Sequence, residues 1–324
     1  MPKAIRFTQT GGPEVLCWEE VAVGDPGPGE ARVRNKAVGL NFIETYQRSG
    51  LYKVPLPSGL GSEGAGVVEA VGQGVTAVKP GDRVAYASGP LGAYSEVRNM
   101  PAGSLVVLPE GISFETGAAM MLKGLTVQYL LRRTYRVQQG ETILLHAAAG
   151  GVGLIACQWA KALGVTVIGT AGSDDKAALA KAHGCDHVIV YTRENFVERV
   201  KQITGGKGVP VVYDSVGKDT FMGSLDCLRP RGLMVIFGNS SGAVPPFDVG
   251  QLAPKGSLYL TRPTLGTYIA AREERDAAAG ELFDVVVSGK VKIEVNHRYA
   301  LKDAAQAHRD LQARKTTGST VLLP

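Results

Sequence analysis

Short, fully apolar strands alternate with helical stretches between residues 142 and 237 of this chain. Strands that are apolar throughout are buried on both faces, which happens when helices cover both sides of a parallel sheet. The sequence therefore predicts an α/β fold with a doubly wound parallel sheet in this region. The predicted strands cover residues 142–146, 165–168, 188–190, 209–213 and 233–237, and the predicted helices cover residues 125–134, 154–163 and 176–183.

The first third of the chain has a different pattern, in which polar and apolar residues alternate over short segments such as 31–38. Similar segments at 66–71 and 82–86 are separated by glycine and proline, so they predict a small, antiparallel, β-rich domain. In the last part of the chain we expect one long helix over 268–287, followed by strands over 291–295 and 319–323. Because 324 residues exceed the usual size of one hydrophobic core, we expect two domains.

Composition argues against several other classes of protein. The formal net charge of +5 comes from 35 basic and 30 acidic residues scattered along the chain, so nucleic acid is not an expected partner. The most apolar window, residues 142–160, is interrupted by polar residues and glycines, unlike a membrane-spanning helix. No apolar signal core follows Met1, and the four cysteines lack the spacing of a metal knuckle or a redox pair. We therefore expect a cytoplasmic protein with no membrane association.

Two glycine patterns bear on dinucleotide binding. The literal G-x-G-x-x-G at residues 59–64 follows prolines and precedes a strand-like segment, so it predicts only a turn. The variant Ala148-x-Gly150-x-x-Gly153 stands between a predicted strand and a predicted helix. Ala148 can replace the first glycine if its φ is negative, Gly150 lets the backbone approach a pyrophosphate, and Gly153 lets the helix pack on the strand. This second pattern predicts a dinucleotide site with the pyrophosphate on the amides of the helix N-terminus.

The residues after the second strand of this sheet indicate which dinucleotide is bound. The strand ends in Thr170 and Ala171, where an NAD site needs an acidic residue for the ribose hydroxyls. Ser173 and Lys176 follow, and a hydroxyl and an ammonium suit a 2′-phosphate. The aspartates at 174–175 oppose phosphate binding unless they point away from the ligand in the first turn of the next helix. We therefore expect NADPH rather than NADH.

Two further constellations do not predict the zinc site and the hydrolase site that they resemble. Residues 183–187 (HGCDH) straddle a helix end and a strand start, where alternate side chains need not converge on a zinc ion. Residues 238–242 (GNSSG) match a hydrolase serine elbow, but prolines and not a helix follow them. This loop and residues 215–217 follow predicted parallel strands, so they are expected near the nicotinamide end of the cofactor.

Six motifs relate the chain to a known family. They are GGPEV (11–15), NFIETY (41–46), RSGLY (48–52), LKGLT (122–126), HAAAGGVG (146–153) and FGNSSG (237–242). In these motifs and over its whole length, the chain resembles the zinc-independent, zeta-crystallin-like quinone oxidoreductases of the medium-chain dehydrogenase/reductase superfamily. The resemblance implies a Rossmann domain over 124–262 and a GroES-like catalytic domain formed by 1–123 and 263–324. It also implies a homodimer, NADPH as the donor and quinones as the acceptors.

The resemblance also implies roles for single residues. Zinc-dependent relatives carry Gly-His-Glu where this chain has Gly61-Ser62-Glu63, so Ser62 stands at the position of a ligand histidine and no metal is expected. Asn41, Phe42 and Tyr46 are implied to line the nicotinamide and substrate cleft. The residues implied or expected at the cofactor, besides Phe42, are Thr126, Tyr129, Gly150, Gly151, Val152, Gly172, Ser173, Lys176, Tyr191, Val216, Gly238, Asn239, Ser240, Ser241 and Arg314.

Two other functions stay open. Similar sequences reduce the activated C=C bond of enoyl thioesters or alkenals, with a tyrosine as proton donor, and Tyr52 occupies a matching position. Other relatives in this branch are lens crystallins or bind RNA. The modest charge of +5 and the lack of a recognisable RNA-binding module do not favour this non-catalytic alternative.

Overall fold

The computed structural model describes residues 1–324. Its strands, in chain order, are β1 (Lys3–Phe7), β2 (Cys17–Glu20), β3 (Glu30–Leu40), β4 (Ser58–Gly59), β5 (Gly64–Val71), β6 (Arg83–Tyr86), β7 (Val97–Pro101), β8 (Val106–Val107), β9 (Thr142–Leu145), β10 (Thr166–Ala171), β11 (His187–Val190), β12 (Val209–Asp214), β13 (Leu228–Ile236), β14 (Tyr259–Thr261), β15 (Val295–Ala300) and β16 (Ser319–Leu323). Its α-helices are α1 (Phe42–Ser49), α2 (Phe114–Tyr129), α3 (Gly151–Ala162), α4 (Asp174–Ala182), α5 (Phe196–Ile203), α6 (Phe221–Asp226), α7 (Leu265–Tyr268), α8 (Arg272–Val287) and α9 (Ala304–Gln312). None of the helices combines the length and the apolar character that crossing a bilayer requires.

The chain divides into two compact units. The first contains Met1–Leu125, Ala270–Val287 and Ile293–Pro324, and the second contains Thr126–Ile269 and Ser288–Lys292. The second unit therefore extends seven residues beyond the expected boundary at 262, and it includes a short segment from the later part of the chain.

The first unit is built mainly from strands. Its larger sheet has the order β15-β16-β3-β5-β6-β8, with β7 also paired to β3, and its smaller sheet has the order β2-β1-β4. All pairs in the larger sheet except β15–β16 are antiparallel. Val33, Tyr86 and Leu322 belong to its hydrophobic core. The glycine pattern at 59–64 connects β4 to β5, so it is a turn between strands as the sequence predicts.

The second unit contains a six-stranded, fully parallel sheet with the order β11-β10-β9-β12-β13-β14. This is the strand order of the doubly wound dinucleotide-binding fold. Leu144, Ile168, Val212 and Met234 from four neighbouring strands are buried in one core. The predicted fold class is confirmed. Because all six strands are parallel, the loops that follow β9, β10, β12 and β13 emerge at one edge of the sheet, here called the carboxyl edge.

One helix start and one strand predicted for the last part of the chain differ from the structure. The helix expected over 268–287 is present as α8 but begins only at Arg272, and Tyr268 instead ends α7, where its carbonyl accepts a hydrogen bond from Arg133 Nη1 at 2.6 Å. The strand expected over 291–295 begins only at Val295. The amide and the carbonyl of Lys292 are instead bonded to the Gln158 side-chain amide at 2.8 and 3.0 Å, so they cannot join a sheet.

Candidate active site

The glycine segment of the second unit forms the turn from β9 into α3. This helix begins at Gly151, three residues before the predicted start, with Gly150 as its N-cap at φ −77° and ψ 170°. The Leu154 amide makes a helical hydrogen bond to the Gly150 oxygen at 2.9 Å. The amides of Gly151 and Val152 come before the Leu154 amide in the first turn of α3, where the helix dipole favours an anion. These two predicted pyrophosphate-binding residues therefore stand where a helix can bind a phosphate.

Alanine in place of the first glycine is accommodated by its neighbours. Ala147, and not Ala148, takes the left-handed conformation, with φ at 56°. A Cβ added to Gly169 of β10 would lie 2.6 Å from the Ala148 methyl, so Gly169 provides the space for this methyl. A Cβ added to Gly153 would lie 2.4 Å from the Ala147 oxygen. The condition that Ala148 keeps a negative φ is thus confirmed, and close packing of α3 on the turn needs glycine at position 153.

The end of β10 carries no acidic side chain toward the carboxyl edge. Thr170 is 1% exposed, and its Oγ1 lies 3.0 Å from His146 Nδ1 inside the unit. Ser173 is the N-cap of α4 and accepts the Lys176 amide on its Oγ at 3.4 Å. A hydroxyl at the helix N-terminus and a lysine in the first turn thus occupy the region where an NAD site has its acid.

The charge of Asp174 in this region is compensated. Arg193 binds it with both guanidinium nitrogens, and the Nη1–Oδ2 distance is 2.6 Å. These hydrogen bonds hold the pKa of Asp174 below its usual range, so the carboxyl is ionised and paired. The sequence does not reveal this pairing, because Arg193 lies 19 residues further along the chain. Nearby, a Cβ added to Gly172 would lie 2.8 Å from the Tyr191 hydroxyl, so these two predicted cofactor residues are neighbours.

The loops that follow β12 and β13 are bonded to each other. The amides of Ser240 and Ser241 donate to the carbonyls of Ser215 and Val216 at 3.2 and 2.9 Å. The Ser241 hydroxyl also donates to the Val216 carbonyl at 2.9 Å and accepts the Asp219 amide at 3.1 Å. No α-helix follows this segment, so the serine elbow lacks the context of a hydrolase, as the sequence predicts.

Three other predicted cofactor residues lie elsewhere. Thr126 and Tyr129 are in the last turn of α2, and both are buried. The Tyr129 ring stacks on Tyr268 with 4.5 Å between centroids and 14° between planes. Arg314 belongs to the first unit, where it follows α9 with φ at 59° and is exposed.

A buried polar cluster surrounds Asn41 in the first unit. Asn41 Nδ2 donates to Glu63 Oε2 at 2.8 Å, and the Leu122 amide donates to Glu63 Oε1 at 2.7 Å. Lys123 Nζ lies 3.6 Å from Glu63 Oε2 and donates to the Leu40 carbonyl at 3.3 Å. Glu63 is fully buried. Its ionised form is satisfied by three donors, which burial of a carboxylate requires.

Glu44 adds a second buried carboxyl to this cluster. It lies in the first turn of α1 and accepts the Asn41 amide on one oxygen, while its Oε1 has no hydrogen-bond partner. Burial raises the pKa of Glu44 to about 8 and also raises the pKa of Glu63. Because the Lys123 ammonium contacts Glu63, we assign the negative charge to Glu63 and a proton to Glu44 near neutral pH.

The predicted aromatic residues of the first unit form one group on and beside α1. The Phe42 and Tyr46 rings are 5.8 Å apart, and the Tyr46 and Tyr52 rings are 5.2 Å apart in an edge-to-face arrangement. The Tyr52 amide donates to the Tyr46 carbonyl at 3.0 Å. Asn41 caps the same helix. Four of the predicted site residues of the first unit are thus brought together.

The possible metal ligands do not converge. No group of three His, Cys, Asp or Glu side chains is placed to hold an ion. His183 Nδ1 is 2.8 Å from the Leu179 carbonyl, and Cys185 is buried against backbone carbonyls.

Comparisons with known proteins cover the whole chain. Residues 27–110 match the alcohol dehydrogenase GroES-like domain family, and residues 151–283 match the zinc-binding dehydrogenase family. A quinone oxidoreductase of Pseudomonas aeruginosa is 62% identical over 325 residues, covering 100% of both chains. A 2-haloacrylate reductase of a Burkholderia species is 48% identical, covering 100% of this chain and 99% of its own. The crystal structure of Escherichia coli quinone oxidoreductase complexed with NADPH matches with a TM-score of 0.98 and 57% identity, covering 99% of this chain and 100% of its own.

Proposed function

The chain belongs to the quinone oxidoreductases of the medium-chain dehydrogenase/reductase superfamily, and we propose that it transfers hydride from NADPH to quinones without a metal ion. One observation in the structure carries this proposal. At the carboxyl edge, a helix N-terminus suited to a pyrophosphate stands beside a strand end that lacks an acid and is followed by Ser173 and Lys176. The full-length similarity to proteins named quinone oxidoreductase supports the same reaction.

The residues of the carboxyl edge fit NADPH, which supplies the hydride when bound. The first-turn amides of Gly151 and Val152 would bind the pyrophosphate, and Gly150, which has no side chain, would let the backbone approach it. Ser173, Lys176 and Tyr191 would hold the 2′-phosphate and the adenosine. The other residues assigned to the cofactor are Phe42, Thr126, Tyr129, Gly172, Val216, Gly238, Asn239, Ser240, Ser241 and Arg314.

The residues around α1 position the acceptor and provide its proton. Negative charge develops on a quinone oxygen as hydride arrives, and a nearby hydroxyl donor stabilises it. Tyr52 is the proposed donor, and Tyr46 and Asn41 orient the quinone ring. The hydrogen bond from Asn41 to the buried Glu63 fixes the orientation of the Asn41 amide, which supports this role.

The Glu63 cluster supports a reaction without metal. Both oxygens of Glu63 already accept hydrogen bonds, and an ammonium lies 3.6 Å from one of them. A divalent cation at this position would be repelled by Lys123 and would have to displace these donors. Ser62, which precedes Glu63, carries a neutral hydroxyl, which is not among the usual zinc ligands Cys, His, Asp and Glu.

A second candidate function is reduction of an activated C=C bond, which the 48% identity to a 2-haloacrylate reductase favours. In that reaction hydride adds to one carbon and a proton adds to the other, so a donor such as Tyr52 is needed. NADPH consumption by one preparation, measured with a panel of quinones and with 2-haloacrylates and enones, separates the two functions. We expect higher kcat/KM with quinones. If the protein reduced only the alkenes and none of the quinones, quinone reduction would be the wrong function and the second candidate would be the right one.

A homodimer in the cytoplasm completes the proposal. β14 is the edge strand of the parallel sheet, and its Tyr259 and Leu260 are 61% and 39% exposed. An unpaired apolar edge can pair with a second copy of the same strand.

All four cysteines are free, including the exposed Cys17, which suits a reducing compartment such as the cytoplasm.

A further inference from the structure

Four buried polar side chains form a continuous hydrogen-bonded chain below the carboxyl edge of the second unit. Thr170 Oγ1 lies 3.0 Å from His146 Nδ1, and His146 Nε2 lies 2.9 Å from Ser224 Oγ. Ser224 Oγ lies 2.9 Å from Asp214 Oδ2. Each of the four residues is at most 2% exposed. We call Thr170, His146, Ser224 and Asp214 the buried polar chain.

The direction of each hydrogen bond follows from which groups can donate. The Asp214 carboxylate only accepts, so Ser224 donates its single proton to Asp214. Ser224 Oγ must then accept from His146 Nε2, which assigns the Nε2-protonated, neutral tautomer to His146. His146 Nδ1 is therefore an acceptor, and Thr170 donates to it. Burial lowers the pKa of His146, which is consistent with a neutral ring.

Each end of the buried polar chain holds the backbone of a different loop. Thr170 Oγ1 accepts the amide of Ala147 at 3.3 Å, and Ala147 is the left-handed residue that opens the glycine segment. Asp214 Oδ1 accepts the amides of Val216 and Gly217 at 2.8 and 3.0 Å. The chain therefore connects the loop proposed for the pyrophosphate with the loop that contains Val216.

The buried polar chain is not a hydrolytic triad, although it contains Ser, His and Asp. In such a triad the acid binds the histidine, and the serine hydroxyl is open to substrate. Here the acid accepts a hydrogen bond from the serine, and the serine is fully buried. The hydrogen bonds of these side chains therefore fit a role in positioning the backbone and not a role in hydrolysis.

We propose that the buried polar chain couples the two loops and that its members are positioning residues for the pyrophosphate and for the nicotinamide end of the cofactor. Removing Ser224 Oγ leaves the buried His146 Nε2–H without an acceptor and leaves Asp214 Oδ2 with only the Thr220 hydroxyl at 2.7 Å, and an unpaired buried polar group is costly. The disturbance then reaches both loops and not only the nearer one. This inference rests on the proposed NADPH-binding function, and it adds a coupling between two parts of that site.

Hydrogen exchange without any cofactor tests the coupling first. Ser224→Ala breaks the chain between Asp214 and His146 and leaves the hydrogen bonds of Thr170 to His146 and Ala147 in place. We expect faster amide exchange at residues 147–150 as well as at 215–217. Exchange that changes only around residues 214–224 would overturn the coupling. This exchange measurement needs no NADPH. It therefore tests the coupling separately from the proposed function, which would fail if the wild-type protein did not bind NADPH.

Equilibrium binding gives the second test. Ser224→Ala and Thr170→Val should each raise the Kd for NADPH by about tenfold. Both should also raise the Kd for 2′-phospho-ADP-ribose, which lacks the nicotinamide. Because both substitutions break the same buried polar chain, the Kd of the double variant for NADPH should be about equal to the higher of the two single-variant values. Multiplied losses in the double variant would show that the two loops respond independently and would overturn the proposal.

Two control variants separate positioning from general stability. Ser224→Thr keeps the hydroxyl and should recover most of the affinity. Thr204→Val removes a hydroxyl of the same unit that donates to the Val200 carbonyl at 2.8 Å and accepts the Gly208 amide at 3.1 Å. It should lower the melting temperature without changing the Kd for NADPH. If Ser224→Ala also lowers only the melting temperature, the buried polar chain is merely structural and the proposal is wrong.

Discussion

We propose that cofactor choice depends on a few side chains at the start of α4, where Lys176 lies three residues after the N-cap Ser173. We expect Lys176→Ala to weaken NADPH binding by about 10- to 100-fold, because a hydrogen bond to a charged group contributes about 1.5–3 kcal/mol. NADH lacks the 2′-phosphate, so its Kd should hardly change. Fluorescence titrations with both cofactors measure the two values, with Lys181→Ala in the last turn of the same helix as the control. Equal losses for NADPH and NADH would mean that Lys176 supports the fold instead of binding the phosphate.

Tyr52 provides a residue-level test of how the acceptor obtains its proton. A reactive quinone can take protons from water after the hydride has moved, so positioning supplies most of the rate. We expect Tyr52→Phe to reduce kcat by less than about tenfold with such quinones, whereas general acid catalysis is typically worth about 10²–10⁴-fold where the acceptor needs it. The loss with an enone should be larger, because its enolate is more basic. Steady-state rates with both acceptors measure this difference, and Tyr135→Phe, which removes a hydroxyl bonded to Glu141 in the second unit, is the matched control.

A collapse of quinone reduction in Tyr52→Phe, with unchanged NADPH affinity, would identify Tyr52 as an essential acid. Positioning would then not dominate the mechanism.

Single residues were predictable from the sequence where the motif is local. Gly150 and Gly153 are three residues apart, and their roles follow from a strand on one side and a helix on the other. The Glu63 cluster was not predictable in this way. Its hydrogen bonds to Asn41 and Leu122 join residues separated by 22 and 59 positions. Only the packing of β3, β5 and α2 brings such residues together, and no spacing rule describes it.

The first turn of α1 makes the stability of the protein depend on pH. The pKa of Glu44 is raised from 4.5 to about 8 by burial, with Glu63 and Lys123 as the charged groups that also act on it. Between these pH values the folded protein binds more protons at this residue than the unfolded chain does. The unfolding free energy should therefore fall as pH rises through this window, by up to about 1.4 kcal/mol per pH unit.

Glu44→Gln should remove this part of the pH dependence, because an amide does not ionise. Urea unfolding of the wild type and the variant, at several pH values between about 5 and 8, compares the two slopes. Glu110→Gln, at an exposed position, is the control and should leave the wild-type slope unchanged. Parallel slopes for the wild type and Glu44→Gln would contradict the assignment of the proton to Glu44.

Strands and helices were predictable from the sequence where their buried residues form a strong apolar pattern. Five of the six parallel strands have a mainly apolar core and were predicted in their order along the chain, whereas β14, a three-residue edge strand with exposed Tyr259 and Leu260, was not predicted. α9 was not predicted, because its buried residues are Ala304, Ala307 and His308, which give little apolar periodicity. The wrong strand over 291–295 has a different cause. Gln158 takes both backbone groups of Lys292 from 134 residues away, and local sequence contains no sign of this contact.

At the scale of the whole molecule, the proposed homodimer depends on the edge strand β14. We expect the wild-type protein to sediment as a dimer and the double variant Tyr259→Lys, Leu260→Lys to sediment as a monomer, because two lysines oppose pairing of apolar edges. Sedimentation velocity at several protein concentrations measures this. Val107→Lys on β8, a 52% exposed apolar residue on another edge strand, should leave the dimer intact. A wild-type monomer, or dissociation by the Val107 variant alone, would rule out the β14 interface.

We propose that this chain transfers hydride from NADPH to a quinone without a metal ion. The most direct measurement is the steady-state rate of quinone-dependent NADPH oxidation after exhaustive chelation, with metal content determined on the same sample. We predict that the chelated protein keeps its full rate and its thermal stability and that NADH replaces NADPH poorly. Stoichiometric zinc in the active protein, with activity lost when the zinc is removed, would contradict the claim, and so would failure to couple NADPH oxidation to quinone reduction.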